Sequence, residues 1–485
     1  MIPRAVPRCA VLLALAASVV AQAPLGGVRT PEELAGAVDG AASDGEWVEV
    51  GEVRRTGAAW IRVRLAPFGL PAGARVRSVG LADGAVAIQD AAALDAWAGW
   101  TPYFNGEAVR IDASAPAGAT AFVAALVCDH GLAASGQADG LCGPDDRVPS
   151  ADPRVARLVD PELNAVCTAA LVGPNDVLLT AGHCIGFGGG VVVQFDPPPS
   201  LPDGTLQHPP PSAQFAVMAS SVAGWALGPG DDWAAFRTHP NLVDGTSAAA
   251  TRGVLTLSPT PPTLGATVSA TGCGSDVGVD AFTRQVASGA LTLLGGAGGT
   301  EARYVVDTEA GGSGSPVTNP SGAVFAVHTH DGCAFGVGNR GTLIAHPALL
   351  AHVAALSAGA PGPYVAGLQQ LGVGAPLHAT VSGAPPNAEL FNVVSPYPAY
   401  PTGSGWFFGL NPGADGFVFS LFAFPAGAAP IHVFADASGS YAFSLPTSGG
   451  TTPVAVDLVS LAFQPGTGFL GYLGRSAVAP TTFFP

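Results

Sequence analysis

The sequence predicts a mainly β protein built from consecutive β units. Three observations carry this reading. Gly and Pro supply 66 and 44 of the 485 residues. Long helical patterns are rare. Short alternating segments recur between turn signals along the whole chain. A chain of this length exceeds a single core, so several domains are expected. Hydrophobic residues make up 48%, ample for burial, whereas charged residues make up 11% and lysine is absent. The formal charge of −16 argues against nucleic acid or an anionic membrane as partner and is most simply a solubility feature.

The first 21 residues read as an export signal. Arg4 and Arg8 precede the apolar "CAVLLALAASVVA", which is too short to span a bilayer. Cleavage after Ala21 leaves Gln22 first; cleavage after Ala23 puts Pro24 next, which is unfavourable. No later segment reaches about 18 uninterrupted apolar residues, so no membrane insertion is expected. The mature chain is expected outside the cytoplasm, extracellular or periplasmic, as a monomer.

Residues 22–142 hold half-buried strand patterns such as "AWIRVRL" and "EAVRIDA". In the first, Ile61, Val63 and Leu65 share one face and arginines the other. A β-sandwich is predicted here, either a retained domain or a pro-region, with one short helix near "DAAALDAWAGW". Residues 143–356 combine many short strands, a proline-rich loop (196–211) and a closing helix at "HPALLAHVAAL", where Pro347 suits the first turn. Residues 357–367 read as a linker. Residues 368–485 return to apolar strands, including "AELFNVV", "GFVFSLFAF", "IHVFADA" and "YAFSLP". They predict a second β-sandwich.

With Cys9 in the signal, six cysteines remain: Cys128, Cys142, Cys167, Cys184, Cys273 and Cys333. An even count in an exported chain suggests disulfides. Proximity in sequence suggests Cys128–Cys142, Cys167–Cys184 and Cys273–Cys333.

The stretch "DTEAGGSGSPV" (307–317) raises the question of a nucleophile at Ser313. A serine hydroxyl needs an adjacent base, and the base needs an orienting acceptor. "CTAALVGPNDVLLTAGHC" places His183 after a strand, beside Cys184. "GDDWAAFRT" places Asp232 before an apolar strand. Asp231 competes with Asp232, and Ser315 with Ser313. The chain order His183, Asp232, Ser313 is that of the chymotrypsin type. "LTAGHC", "DDWAAF" and "GGSGSPV" resemble the three motifs of trypsin-like serine proteases, closest in form to the bacterial glutamyl endopeptidase branch. The match covers roughly residues 143–356.

The resemblance implies a chymotrypsin-like double β-barrel flanked by the two sandwiches, acting as a secreted serine endopeptidase on protein or peptide substrates, without cofactor. It implies Asp232 and Ser313 over their neighbours, and an oxyanion hole from the N–H groups of Gly311 and Ser313. Gly312 stands where animal digestive relatives carry an aspartate that pairs with a newly cut N-terminus, so the oxyanion loop must be set some other way. Thr308, five residues before Ser313, and His328, fifteen after it, match the positions that meet a substrate carboxylate in the glutamyl branch. Asp307 matches the aspartate that binds Arg or Lys in trypsin. The preference therefore stays open between acidic, basic and broader side chains. His328, His330, Asp331 and Cys333 are potential metal ligands, but a pocket strand, a turn and a disulfide explain them better, and no metal is assigned. The alternative class is a non-catalytic adhesion or binding protein on a protease-like scaffold.

Overall fold

The computed structural model describes residues 23–483 except 44, 67–69, 132–139, 162, 186–189, 227, 359–364, 371–375, 383, 386, 398–409, 414–416, 438, 446–453, 466–471 and 477–478. The expected export signal lies outside the described residues.

Two closed barrels form the centre. The first comprises β1 (Val155–Asp160), β2 (Ala165–Gly173), β3 (Val177–Thr180), β4 (Val192–Gln194), β5 (Gln214–Ala226) and β6 (Asp232–Thr238). Antiparallel pairing closes them in the ring order β1-β2-β3-β6-β5-β4. The second comprises β7 (Thr267–Gly272), β8 (Gln285–Leu294), β9 (Glu301–Val305), β10 (Pro316–Thr318), β11 (Val324–His330) and β12 (Asn339–Leu343). It repeats the same ring, β7-β8-β9-β12-β11-β10. Closure removes the sheet edges, and inward residues such as Leu158, Leu178 and Phe236, or Val268, Ala302 and Phe325, fill each interior. Two six-stranded barrels of this order are the chymotrypsin-like architecture. The helix Pro347–Ser357 closes it, with His346 as N-cap and Pro347 in the first turn, as the sequence indicates.

The N-terminal unit has two facing sheets. Gly27–Pro31, Ala35–Asp39, Trp60–Leu65 and Phe104–Asn105 gather around the long strand Thr120–Gly131 or its neighbours. Val48–Arg54, Arg75–Gly80, Val86–Gln89 and Ala108–Ser114 form the other sheet. Ile61, Val63 and Leu65 lie in the core between them, as their alternation requires. The predicted helix is Ala91–Ala96, capped by the Asp90 carboxylate.

The opposite face of Trp60–Leu65 departs from expectation. Arg62 was expected on a wet outer face, but it is 0% exposed. Its guanidinium sits over the Trp100 and Tyr103 rings and donates to the carbonyls of Thr101 at 2.8 Å and Gly190 at 2.7 Å. Gly190 belongs to the barrel region, so this face is an interface. Tyr103 and Gln214 exchange hydrogen bonds there, as do Asn105 and His208. The strand Ala23–Pro24 crosses over to pair with β2 of the first barrel.

In the C-terminal unit, the sheet of Val365–Gln370, Leu377–Ser382 and Tyr441–Leu445 faces a second built from Glu389–Ser395, His432–Phe434, Val454–Phe463, Tyr472–Arg475 and Ala479–Phe483. Ala366 and Val381 of one meet Leu390 and Leu458 of the other. Two expectations fail. Val365–Gln370 begins inside the segment read as linker. "GFVFSLFAF" is not a strand: it forms the short helix Phe417–Ser420 and a 3-10 turn Leu421–Ala423. Val418 and Leu421, three apart, are the residues it buries, a helical spacing within an apolar run that also reads as strand. Ala223 of β5 joins that same cluster and docks the unit on the first barrel.

Candidate active site

His183 lies in a 3-10 turn, Gly182–Cys184, directly after β3. The Cys167–Cys184 disulfide ties that turn to β2. His183 Nδ1 is 2.6 Å from Asp232 Oδ2, and the His183 backbone N–H donates to Asp232 Oδ1 at 3.1 Å. The carboxylate thus fixes both ring and backbone. Asp232 opens β6 at 1% exposure. Its N–H donates to Thr342 Oγ1, which donates back to the Asp232 carbonyl, so β12 of the second barrel holds it. Asp231 faces the other way: its carboxylate meets His346 Nε2 at 3.0 Å, at the start of the closing helix.

Ser313 sits on a turn between the barrels, 1% exposed. Gly311 and Gly314 flank it at φ values of 94° and 90°, which glycine adopts without strain. At Gly314 a Cβ would fall 2.0 Å from the Thr168 carbonyl, so the turn presses on the first barrel. The Ser313 carbonyl accepts from Thr168 N–H at 2.8 Å. Ser313 Oγ lies 3.4 Å from the Thr329 carbonyl. The next residue, His330, faces the His183 ring at 5.8 Å between centroids. Ser313 and His183 therefore flank consecutive residues of β11. Ser315 is committed elsewhere, donating to the Gly312 carbonyl at 2.5 Å.

The turn before Ser313, the expected oxyanion site, is set by its carbonyls. The Ala310 carbonyl accepts from Ser275 N–H at 2.7 Å, and the Gly312 carbonyl accepts from Ser315 N–H at 3.0 Å. Peptide planes are rigid and trans. The N–H groups of Gly311 and Ser313 are therefore aimed opposite to those two anchored carbonyls. Thr168 Oγ1 donates to the Gly311 carbonyl at 3.0 Å and accepts from Cys273 N–H at 2.8 Å. Ala23 and Leu25 lie in one apolar cluster with Ala310. Together these contacts hold the turn without a side chain at Gly312.

Thr168, His330, Asp331 and the segment 140–146 are absent from the motifs, yet they shape the site. His330 Nδ1 is 3.8 Å from Asp232 Oδ2. Burial holds its imidazole below the ordinary histidine range, while Asp232 pulls the other way. Asp307 does not present a free carboxylate to the cleft. Its oxygens accept the N–H groups of Cys142 at 2.6 Å and Asp146 at 3.0 Å. Burial, followed by Asp307, raises the Asp146 carboxyl above its usual range. Thr308 Oγ1 accepts from Asn339 Nδ2 at 2.8 Å, and His328 Nδ1 meets the Tyr304 hydroxyl at 2.9 Å.

Two predicted disulfides are corrected. Cys142 pairs with Cys333, and Cys128 and Cys273 are buried thiols. Cys128 lies in the sandwich core, and Cys273 behind the oxyanion turn. Each is therefore separated from its proposed partner, and nearness in sequence does not supply the Cα separation that a disulfide needs. Burial pushes their thiols up, to about 12 and about 11. Of the potential metal ligands, Cys333 is bonded to Cys142 and His330 turns to Asp232, while His328 meets Tyr304 through Nδ1 and lies 3.7 Å from Asp331 through Nε2. Cys167, His183 and Cys184 also cluster, but the two sulfurs are bonded to each other.

No protein-family model matches the chain, and no curated protein matches it. Among solved structures it is similar to a Glu endopeptidase in complex with MPD, at 22% identity and TM-score 0.35, covering 44% of this chain and 98% of that one. It is also similar to the thermostable serine protease AL20 from an extremophilic microorganism, at 18% identity and TM-score 0.31, over 40% and 93%. A third is the Rv3671c protease in its inactive form, at 17% and 0.27, over 42% and 88%. At these identities the likeness concerns the fold, which the two barrel rings establish independently. The two barrel rings by themselves define a chymotrypsin-like double barrel.

Proposed function

We propose that the protein is an exported serine endopeptidase working through His183, Asp232 and Ser313. The observation that carries this reading is the double hold of Asp232 on His183, at 2.6 and 3.1 Å, beside a buried serine on a glycine-flanked turn. In this mechanism His183 Nε2 takes the Ser313 proton as Oγ attacks a peptide carbonyl. Asp232 keeps the proton of Nδ1 in place and stabilises the imidazolium. The Gly311 and Ser313 N–H groups receive the developing oxyanion, each worth on the order of 10²–10³ in rate. His183 then returns the proton to the leaving amine, and water releases the acyl-enzyme. Export is supported by two disulfides. Among the described residues no helix is long and apolar enough to cross a membrane.

The test is labelling of the purified, disulfide-bonded protein with a fluorophosphonate, with peptide turnover measured alongside. Wild type should label at Ser313. Ser313→Ala should neither label nor cut, with turnover down by about 10⁶. Properly folded wild type that never labels would return the chain to the non-catalytic binding class.

A further inference from the structure

We propose that Asp331 sets the side-chain preference of the cleft, so that it accepts substrate side chains bringing positive charge or N–H donors and rejects carboxylates. This rests on the endopeptidase reading above and deepens it.

Asp331 follows Thr329 by two residues, and the Thr329 carbonyl is the group facing Ser313 Oγ. It is therefore at the lip of the same cleft. Its Oδ1 lies 3.4 Å from Thr308 Oγ1 and 3.7 Å from His328 Nε2. Thr308 already accepts from Asn339, so its own hydroxyl hydrogen is the one turned toward Asp331. The His328 ring is held between the Tyr304 hydroxyl, 2.9 Å from Nδ1, and Asp331, with its Nε2 edge turned toward the carboxylate. The hydroxyl and the imidazole edge that would receive a substrate carboxylate thus already lie against an internal one. A second carboxylate in that space meets like charge at close range, which disfavours its ionised form.

Among the described residues no permanent cation pairs with Asp331. Among the described residues its one ion-pair partner is His328, which carries charge only when protonated. No lysine exists in the chain. The side chain is 14% exposed, so solvent reaches it. Asp307 cannot share the role, because its oxygens are held by Cys142 and Asp146. The far wall is closed by Gly140, where a Cβ would fall 2.6 Å from Asp331 Oδ1 and 2.2 Å from the Thr308 carbonyl. That wall is fixed, with Gly140 O accepting from Asn339 Nδ2 at 2.6 Å.

The experiment is a peptide-library profile of wild type, Asp331→Ser and Asp331→Asn beside Ser313→Ala, with benzamidine tested against fluorophosphonate labelling. Wild type should cut after Arg over Glu by about 100-fold, a margin that one matched or mismatched charge supplies. Asp331→Ser should lose at least tenfold on Arg and gain cutting after Glu. Asp331→Asn, nearly isosteric, should lose the Arg preference without loss of fold. Benzamidine should slow labelling of wild type and not of the variants. Ser313-dependent cutting after Glu in wild type, or an unchanged profile in both variants, overturns the assignment of Asp331 while leaving the endopeptidase reading intact. Absence of Ser313-dependent cutting and of labelling in every variant overturns both.

Discussion

Thr168 shows how one uncharged side chain governs the turn that carries Ser313. Its hydroxyl donates to the Gly311 carbonyl and accepts from Cys273 N–H, its carbonyl accepts from Thr180 Oγ1, and its N–H donates to the Ser313 carbonyl. Thr168→Val keeps the shape and deletes only the hydroxyl. It leaves a buried N–H without its acceptor, which costs about 1–3 kcal/mol. We expect a lower melting temperature and slower fluorophosphonate labelling of Ser313; an unchanged labelling rate would show that the hydroxyl does not hold the turn. His183, Asp232 and Ser313 were legible because each lies in a short local pattern that fixes its own surroundings. Thr168 and Asp331 were not. Their importance comes from contacts across more than a hundred residues, or from the filling of a space that a sequence does not display. Thr308 and His328 carried a second lesson: the positions were readable, but not the carboxylate facing both.

At the scale of elements, the segment 140–146 is a wall of the cleft as well as a connection. Cys142 bonds to Cys333 across 191 residues, and the neighbouring amides grip Asp307. Pairing cysteines by nearness in sequence failed here because loop closure penalises distance only slowly, whereas a disulfide demands adjacent backbones. A peptide map under non-reducing conditions should return Cys142–Cys333 and Cys167–Cys184, with Cys128 and Cys273 alkylated only after denaturation. Replacing Cys142 and Cys333 with serine should lower stability by about 2–4 kcal/mol and raise KM more than it lowers kcat. A variant with unchanged KM would mean that the wall stands without the bond. The segment 417–423 was misread for a different reason. A continuous apolar run satisfies strand and helix periods alike, and only Val418 and Leu421 turning inward together decide between them.

Across the whole molecule, the N-terminal unit is joined to the first barrel by a buried polar seam. Arg157 Nε and Nη2 donate to Gln194 Oε1, and the Gln194 amide meets His208 Nδ1, with Nε2 at 2.8 Å and Oε1 at 3.1 Å. Burial first, then Arg157 and Arg62, hold His208 well below the ordinary histidine range. Such a group does nothing to stability above an ordinary pKa of about 6.5. Below that, the unfolded chain takes up a proton that the folded one refuses, so stability falls with pH. Melting temperature should drop between about pH 7.5 and 5.5, and His208→Gln should flatten that slope; an equal slope in the variant would remove His208 as the cause. The two sheets of the N-terminal unit were readable from alternation, but the seam was not, because Arg62 looks like any outward arginine until a partner surface covers it.

The pairing of Ala23 and Pro24 with Val166 and Ala165 also imposes an order of assembly. A strand from the very front of the described chain waits for partners that are made only after the entire N-terminal unit. Such distant pairings form late. Until that stitch is made, the cluster holding Ala310, beside the turn before Ser313, lacks Ala23 and Leu25. The leading residues thus add their packing to the turn before Ser313 only once the first barrel stands to receive them.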